Sequence, residues 1–196
     1  NFLGRDLDLR LAGEISQIGY KGYLTLLEPR FLFSRTRSST RIFGESQEEF
    51  NKDYGIEVYG VSQNFSREFL SRKLSLNLGF TYEFRNQYLT QDRKLTPDES
   101  EDYEVRHVIM ARPGIVYQTT DSYVRPKKGT LTFFNADISQ GLGNDIDDYI
   151  KYRLDTRYYY TVLDPLVIAL RGYYGFIQPY GNSSRVAEDQ LFFLGG

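Results

Sequence analysis

Hydrophobic and polar side chains alternate one by one along much of this chain. In residues 73–85, every second residue from Leu74 to Phe84 is apolar, and the residues between them are polar or small. The same pattern opens the chain over residues 6–15. A period of two is typical of a β-strand, whereas a helix would spread these residues around its axis. The pattern therefore predicts strands, and no segment predicts a helix.

Nine segments alternate in this way, some of them weakly. They are residues 7–15, 20–27, 36–45, 54–63, 73–85, 103–119, 130–140, 149–162 and 166–177. Most of them have ten or more residues, whereas strands of soluble proteins have about five or six. A tilted strand that crosses a bilayer needs about 9 to 11 residues. The sequence therefore predicts an all-β fold, an antiparallel up-and-down transmembrane β-barrel.

The apolar face of these strands is expected to meet lipid. On the fifth strand this lipid-facing set is Leu74, Leu76, Leu78 and Phe80. Aromatic residues stand near the ends of the apolar faces, which suits the interfacial girdle of a membrane barrel. They include Tyr20, Phe80, Tyr82, Phe84, Tyr158, Tyr160, Tyr174 and Phe176. A large soluble β-sandwich or lipocalin-like barrel stays open as an alternative, because its strands alternate too.

The connections between the predicted strands fall into two alternating sets. The first set is turn-like and basic, and comprises residues 28–34, 64–72, 121–129 and 163–165. The second set is acidic, contains the longest loops, and comprises residues 17–19, 46–53, 86–102, 141–148 and the tail from 178. Outer-membrane barrels have short periplasmic turns and longer extracellular loops. We therefore expect the first set to be periplasmic and the second to be extracellular.

Composition narrows the class of protein further. The 196 residues suit one domain, and 24 basic against 26 acidic residues give a net charge of −2, so nucleic acid is not an expected partner. The absence of cysteine excludes disulfide scaffolds and thiolate zinc sites. A mean hydropathy of −0.48 and short apolar runs exclude membrane-spanning helices but agree with strands that alternate.

The sequence offers no convincing catalytic, cofactor or metal site. The single His107 has no second histidine or cysteine near it in sequence, and no serine has a recognisable histidine partner. Acidic residues cluster near 99–102 and 145–148, without the spacing of a calcium loop. Charges that alternate with apolar residues are expected to pair across strands or to line a wet lumen. These are Asp8, Arg10, Glu14, Glu57, Glu83, Arg85, Lys151, Arg153, Asp155 and Arg157.

Four segments of the chain carry recognisable motifs. They are residues 1–5, Asn-Phe-Leu-Gly-Arg; two turns, one through Glu28, Pro29 and Phe31 and one through Asp121, Pro126 and Gly129; and residues 189–196. Together they resemble motifs of the BamA/TamA superfamily of outer-membrane assembly and translocation barrels. In this resemblance residues 1–5 correspond to the stretch that follows the second barrel strand, although Asp6 replaces the usual small residue, the two turns correspond to family turns, and residues 189–196 correspond to the run that enters the sixth extracellular loop.

The resemblance implies a fold and a function for the whole of residues 1–196. The chain would be a single partial barrel domain, carrying strands three to eleven of about sixteen. POTRA domains, the first hairpin and the last five strands would lie outside it. Phe192, Phe193, Leu194, Gly195 and Gly196 would form the stem of an extracellular loop that folds into the barrel.

The resemblance also implies a non-enzymatic factor, integral to the bacterial outer membrane, that inserts or translocates other proteins without a cofactor. Its partners would be outer-membrane lipids and, through parts outside this chain, client outer-membrane proteins and periplasmic or lipoprotein accessory subunits. Nine strands also leave two unpaired edges, whereas bacterial single-chain barrels close with an even number. A passive porin-like channel and a soluble β-rich binding module remain the alternative functions.

Overall fold

A computed structural model of the chain describes residues 6–48, 53–90, 100, 103–143, 146–164, 166–181 and 183–192. All nine predicted strands are present. They are β1 (Asp8–Ser16), β2 (Gly19–Glu28), β3 (Arg37–Glu48), β4 (Tyr54–Phe69), β5 (Leu74–Leu89), β6 (Arg106–Gln118), β7 (Gly129–Gly141), β8 (Tyr149–Leu163) and β9 (Leu166–Pro179).

The strands form one antiparallel sheet in which each strand pairs with its neighbours in sequence. This is the up-and-down meander that the alternating pattern predicts. Within the described residues, β1 pairs only with β2 and β9 only with β8, so the sheet is an open arc. A tight turn at Phe31–Phe33, in which Leu32 and Phe33 have positive φ angles, follows β2, and a short 3-10 helix, Glu188–Gln190, follows β9. No helix in the described part of the chain is long and apolar enough to cross a membrane.

Several strands extend further than the sequence predicts. β4 continues to Phe69 and β5 to Leu89, so the connections predicted at 64–72 and 86–102 are too long. β3 likewise continues to Glu48, into the connection predicted at 46–53. The prediction stopped at clusters of polar side chains, which usually mark loops. In this sheet one face carries polar side chains, so a polar residue does not mark the end of a strand.

The two faces of the sheet differ as in a membrane barrel, with apolar residues exposed and polar residues buried. On β5, Leu78 and Phe80 are 41% and 46% exposed, whereas Thr81 and Glu83, at the alternate positions that follow, are 3% and 4% exposed. We call the face of Thr81 and Glu83 the inner face and the face of Leu78 the outer face. Leu74 and Leu76 also lie on the outer face, Leu74 half-buried and Leu76 exposed.

Candidate functional site

Two arginines on the inner face lie directly opposite each other on adjacent strands. Arg85 of β5 and Arg106 of β6 are Cα partners in the ladder. Like charges in such a pair destabilise a sheet, and here both guanidiniums are nearly excluded from solvent. The pair therefore requires carboxylates beside it.

Three acidic residues supply those carboxylates. Arg85 donates to Glu83 of its own strand at 2.5 Å (Nη2 to Oε2) and to Asp189 at 2.6 Å (Nη1 to Oδ2). Arg106 donates to Asp147 and to Asp189, each at 2.9 Å. Asp189 therefore bridges the two arginines, with one oxygen on each. We call Glu83, Arg85, Arg106, Asp147 and Asp189 the inner ion cluster.

The inner ion cluster is buried, and this burial determines how much the loss of one of its residues would destabilise the protein. Its five side chains are between 0% and 8% exposed. Removing one partner of a buried ion pair costs about 3–5 kcal/mol, because the other charge stays buried without compensation. Asp147 lies in the connection between β7 and β8, where burial raises the pKa of its carboxyl and Arg106 opposes that rise.

The segment after β9 follows the inner ion cluster along the inner face. Tyr149 of β8 donates from its hydroxyl to the Gln190 side chain at 2.7 Å, and Lys151 donates to the Gln190 carbonyl at 2.6 Å. The Lys151 ammonium also lies 4.3 Å from the centre of the Phe192 ring. A Cβ atom on Gly175 would come within 2.8 Å of that ring. Glycine at this position therefore leaves room for Phe192 against the wall.

A cavity of about 650 Å³ remains between the anchored segment and the inner face of β2 to β6. Charged and polar side chains from strands and segment line it, among them Lys21, Arg41, Glu83, Arg112, Asp189 and Gln190. Such a lining suits water or a polar polypeptide segment rather than an apolar ligand.

Other inner charges pair across neighbouring strands, as the sequence predicts. Arg153 of β8 contacts Asp137 of β7 at 2.6 Å, and Arg171 of β9 contacts Asp155 of β8 at 2.8 Å. The single His107 lies instead beside Tyr82, whose hydroxyl is 2.8 Å from its Nδ1 atom. The described residues contain no group of three or more His, Cys, Asp or Glu placed to hold a metal ion.

The structure places the residues of the first family-like turn after β2. Glu28 is the last residue of that strand, and Pro29 follows it. Phe31 packs edge-on against Phe65 of β4, with ring centres 5.1 Å apart. The Phe31 amide donates to the Thr36 carbonyl at 2.8 Å, which closes the turn before β3.

The second family-like turn, between β6 and β7, is organised by Asp121. Its carboxylate accepts from the backbone N–H groups of Lys127 at 2.9 Å and Lys128 at 3.2 Å. These hydrogen bonds lower the pKa of the Asp121 carboxyl. Pro126 lies within the turn, and Gly129 adopts a φ of +107°. A Cβ on Gly129 would also lie 2.5 Å from the Thr119 carbonyl oxygen, so both conformation and space require glycine.

Some of the predicted site lies outside the described residues. Phe192 is placed on the inner face, but Phe193, Leu194, Gly195 and Gly196 are not described, and neither is the motif at 1–5. Of the inner ion cluster, Arg106 had no role in the sequence prediction, and Asp147 entered it only as a member of the acidic cluster at 145–148. Both side chains are almost completely buried in the folded structure, at 1% and 0% exposed, and no local sequence pattern marks them.

Known proteins agree with this architecture. A family model described as the Omp85 superfamily domain matches residues 1–196. The fold is also similar to that in the crystal structure of BamA from Haemophilus ducreyi lacking POTRA domains 1–3, with a TM-score of 0.85 and 20% sequence identity. That match covers 100% of this chain and 40% of the BamA chain. No curated protein sequence matches this one.

The nine-stranded sheet, apolar outside and charged inside, is therefore part of a transmembrane β-barrel. Because the family model covers its full length, the chain belongs to the Omp85 superfamily. It is an integral β-barrel protein of the bacterial outer membrane. The chain spans well under half the length of the BamA structure that it resembles.

Proposed function

We propose that this chain forms part of the barrel wall of a factor that inserts or translocates other outer-membrane proteins. The factor works without covalent chemistry or a cofactor. Its clients and its periplasmic or lipoprotein accessory subunits bind other parts of a longer protein, which also supplies POTRA domains and further strands. In this proposal residues 1–196 are a single domain, and residues 192–196 are the stem of a loop that folds into the barrel.

The observation that carries the proposal is the anchoring of the segment after β9 by Asp189. In a passive diffusion channel the interior stays open to solute. Here buried ion pairs to Arg85 and Arg106 hold a chain segment against the inner wall. Such contacts favour an interior occupied by a fixed loop, and so favour an assembly factor over the porin-like alternative.

The apolar outer face supports the membrane part of the proposal. Side chains such as Leu76, Leu78 and Phe80 remain exposed in the described structure, and contact with lipid would remove their apolar area from water. In the proposal Leu74, Leu76, Leu78 and Phe80 contact lipid. Each interior strand is paired with a neighbour on both sides, which suits a bilayer, where backbone groups need partners within the protein.

The test is reconstitution of the full-length protein in lipid vesicles with an unfolded client β-barrel. We expect the client to fold faster than in empty vesicles, as followed by its shift on gel electrophoresis without heating. A matched preparation carrying Asp189→Asn should accelerate folding less, because the loop loses its anchor. Steady conductance of small solutes with client folding at its spontaneous rate would contradict the proposal and support the porin.

A further inference from the structure

A cluster of arginines lies between two neighbouring turns at one end of the sheet. The β2–β3 connection carries Arg35, and the adjacent β4–β5 turn carries Arg72, with Arg37 and Arg67 on the strands beside them. Together with Glu68 these side chains line a cavity of about 500 Å³. Four cations around one carboxylate leave a strongly positive concavity. We call Arg35, Arg37, Arg67 and Arg72 the turn arginines.

Glu68 compensates only part of this charge. It contacts Arg37 at 3.2 Å and Arg72 at 3.5 Å. Arg67 stacks instead on the ring of Phe69, with its guanidinium carbon 5.2 Å from the ring centre. Arg35 and Arg67 form no ion pair with any residue that the structure describes. The turn arginines therefore retain donors for a further anion.

Bulky apolar side chains protrude from the same two turns. Leu32 and Phe33 are 71% and 85% exposed, and Leu70 is 67% exposed. All three have positive φ angles of 49°, 60° and 50°, and Ser71 and Arg72 continue the left-handed stretch. Residues with side chains adopt this conformation at an energetic cost, and such strain clusters at functional sites. In these two turns the left-handed conformation places the apolar side chains next to the turn arginines.

The position of the cluster identifies its partner. Arg67 stands opposite Leu76 in the β4–β5 ladder, on the apolar outer face. Arg67 therefore lies on the outer face, whereas Arg37 stands opposite Ser66 on the inner face. All four arginines lie at the end of the sheet, where the strands give way to turns, and in a membrane barrel the strand ends lie near the level of the lipid headgroups. Anionic headgroups attract basic residues at this level, and apolar groups insert beside them. We propose that Arg35, Arg67 and Arg72 bind the phosphate of an anionic glycerophospholipid, with Leu32, Phe33 and Leu70 against its acyl chains.

The proposal is tested by native mass spectrometry of the full-length protein in detergent, with phosphatidylglycerol or phosphatidylcholine added. We expect preferential retention of phosphatidylglycerol. The variant Arg35→Gln/Arg67→Gln/Arg72→Gln should weaken its binding on the order of 100-fold, since each arginine near an anionic surface contributes about fivefold. The matched control Arg125→Gln/Lys127→Gln/Lys128→Gln removes the same charge from the β6–β7 turn and should bind as the wild type does.

Two further measurements cover the other outcomes. If the triple variant does not fold, the wild-type protein is measured in low and high salt, and binding that does not weaken with salt overturns the proposal. Millimolar inorganic phosphate should not displace the lipid. Displacement would show a site for free phosphate, and equal retention of the two lipids would show no headgroup recognition. Either result overturns the assignment and leaves the assembly function untouched.

Discussion

The guanidinium of Arg85 donates a 2.6 Å hydrogen bond to the carboxylate of Asp189, 104 residues further along the chain. The contact joins the C-terminal part of β5 to the segment that follows β9, with the four strands β6 to β9 between them in sequence. The entropic cost of closing a loop rises only slowly with its length, so a single buried ion cluster is sufficient to hold such a distant segment. The fixed position of the segment after β9 therefore depends on its ion pairs with the inner face of the sheet.

Replacing Asp189 should release that segment. Asp189→Asn removes the charge that Arg85 and Arg106 share, so we expect a loss of about 3 kcal/mol or more in the free energy of unfolding. Trypsin should then cleave faster after Arg185, which lies in the released segment. Urea unfolding and timed proteolysis of the full-length protein measure the two effects.

The control for this change is Asp164→Asn. Asp164 is 79% exposed and contacts Lys127 at 3.3 Å, so its loss should cost less than about 1 kcal/mol. Combining Asp189→Asn with Arg85→Ala should cost less than the sum of the two single changes, because each removes the same contact. Strict additivity would mean that the contact does not stabilise the protein.

Charge on the outer face should be tolerated far less well than charge on the inner face. Leu78→Arg places a cation among apolar outer residues and should cost about 2–4 kcal/mol if the position lies near the bilayer midplane. Asn77→Arg, one residue earlier on the inner face, should cost much less. Folding yields of the two variants in lipid bilayers provide the comparison. Equal yields would contradict the assignment of the outer face to lipid.

Alternation alone was sufficient to predict all nine strands and their order. Its failures were at strand ends, where a polar inner face looks like a loop. Residues 64–69 are such a case, because Asn64, Ser66 and Glu68 interrupt the apolar pattern while Phe65 and Phe69 continue on the outer face. A period of two identifies which residues share a face, but it does not show where the face ends.

The inner ion cluster was beyond the reach of sequence reasoning. The alternating pattern identified Glu83 and Arg85 as inner charges, and the resemblance placed residues 189–196 at the start of a loop. No local sequence pattern predicts the contact between Asp189 and Arg106. That contact depends on how far the segment after β9 folds back over the inner face of the sheet. Three-dimensional packing alone sets that distance.

The two ends of the sheet should face different compartments. The chain contains no cysteine, so one introduced thiol on it gives a clean label. We expect Ser100→Cys, in the longest predicted loop, to react with an impermeant maleimide on intact cells. Tyr123→Cys, which replaces an 81% exposed residue of the β6–β7 turn, should react only after the outer membrane is permeabilised. The reverse pattern would invert the topology.

Acid should loosen the β6–β7 turn through Asp121. The backbone N–H groups of Lys127 and Lys128 hold the pKa of this carboxyl below its usual value, which is about 3.9 in unfolded chains. A depressed folded-state pKa contributes stability above the unfolded value and loses it as the pH falls through the folded value. The backbone amides of Lys127 and Lys128 should therefore be less protected from hydrogen exchange when the pH is below about 4. Asp121→Asn should abolish the pH step, and a step that persists would assign it to another group.

The Phe192 ring should be displaced from the inner face of the sheet when Gly175 is replaced by a residue with a side chain. The Gly175→Ala methyl would lie 2.8 Å from the Phe192 ring, so the ring must move away from Lys151, at a cost of about 1–3 kcal/mol. We expect faster tryptic cleavage after Arg185. Gly172→Ala is the matched control, because its methyl would meet Thr156 at an ordinary 3.6 Å. Adding Phe192→Ala should remove the effect of Gly175→Ala, since no ring then occupies the space. An equal effect of Gly175→Ala with and without Phe192 would show that the ring does not depend on this glycine.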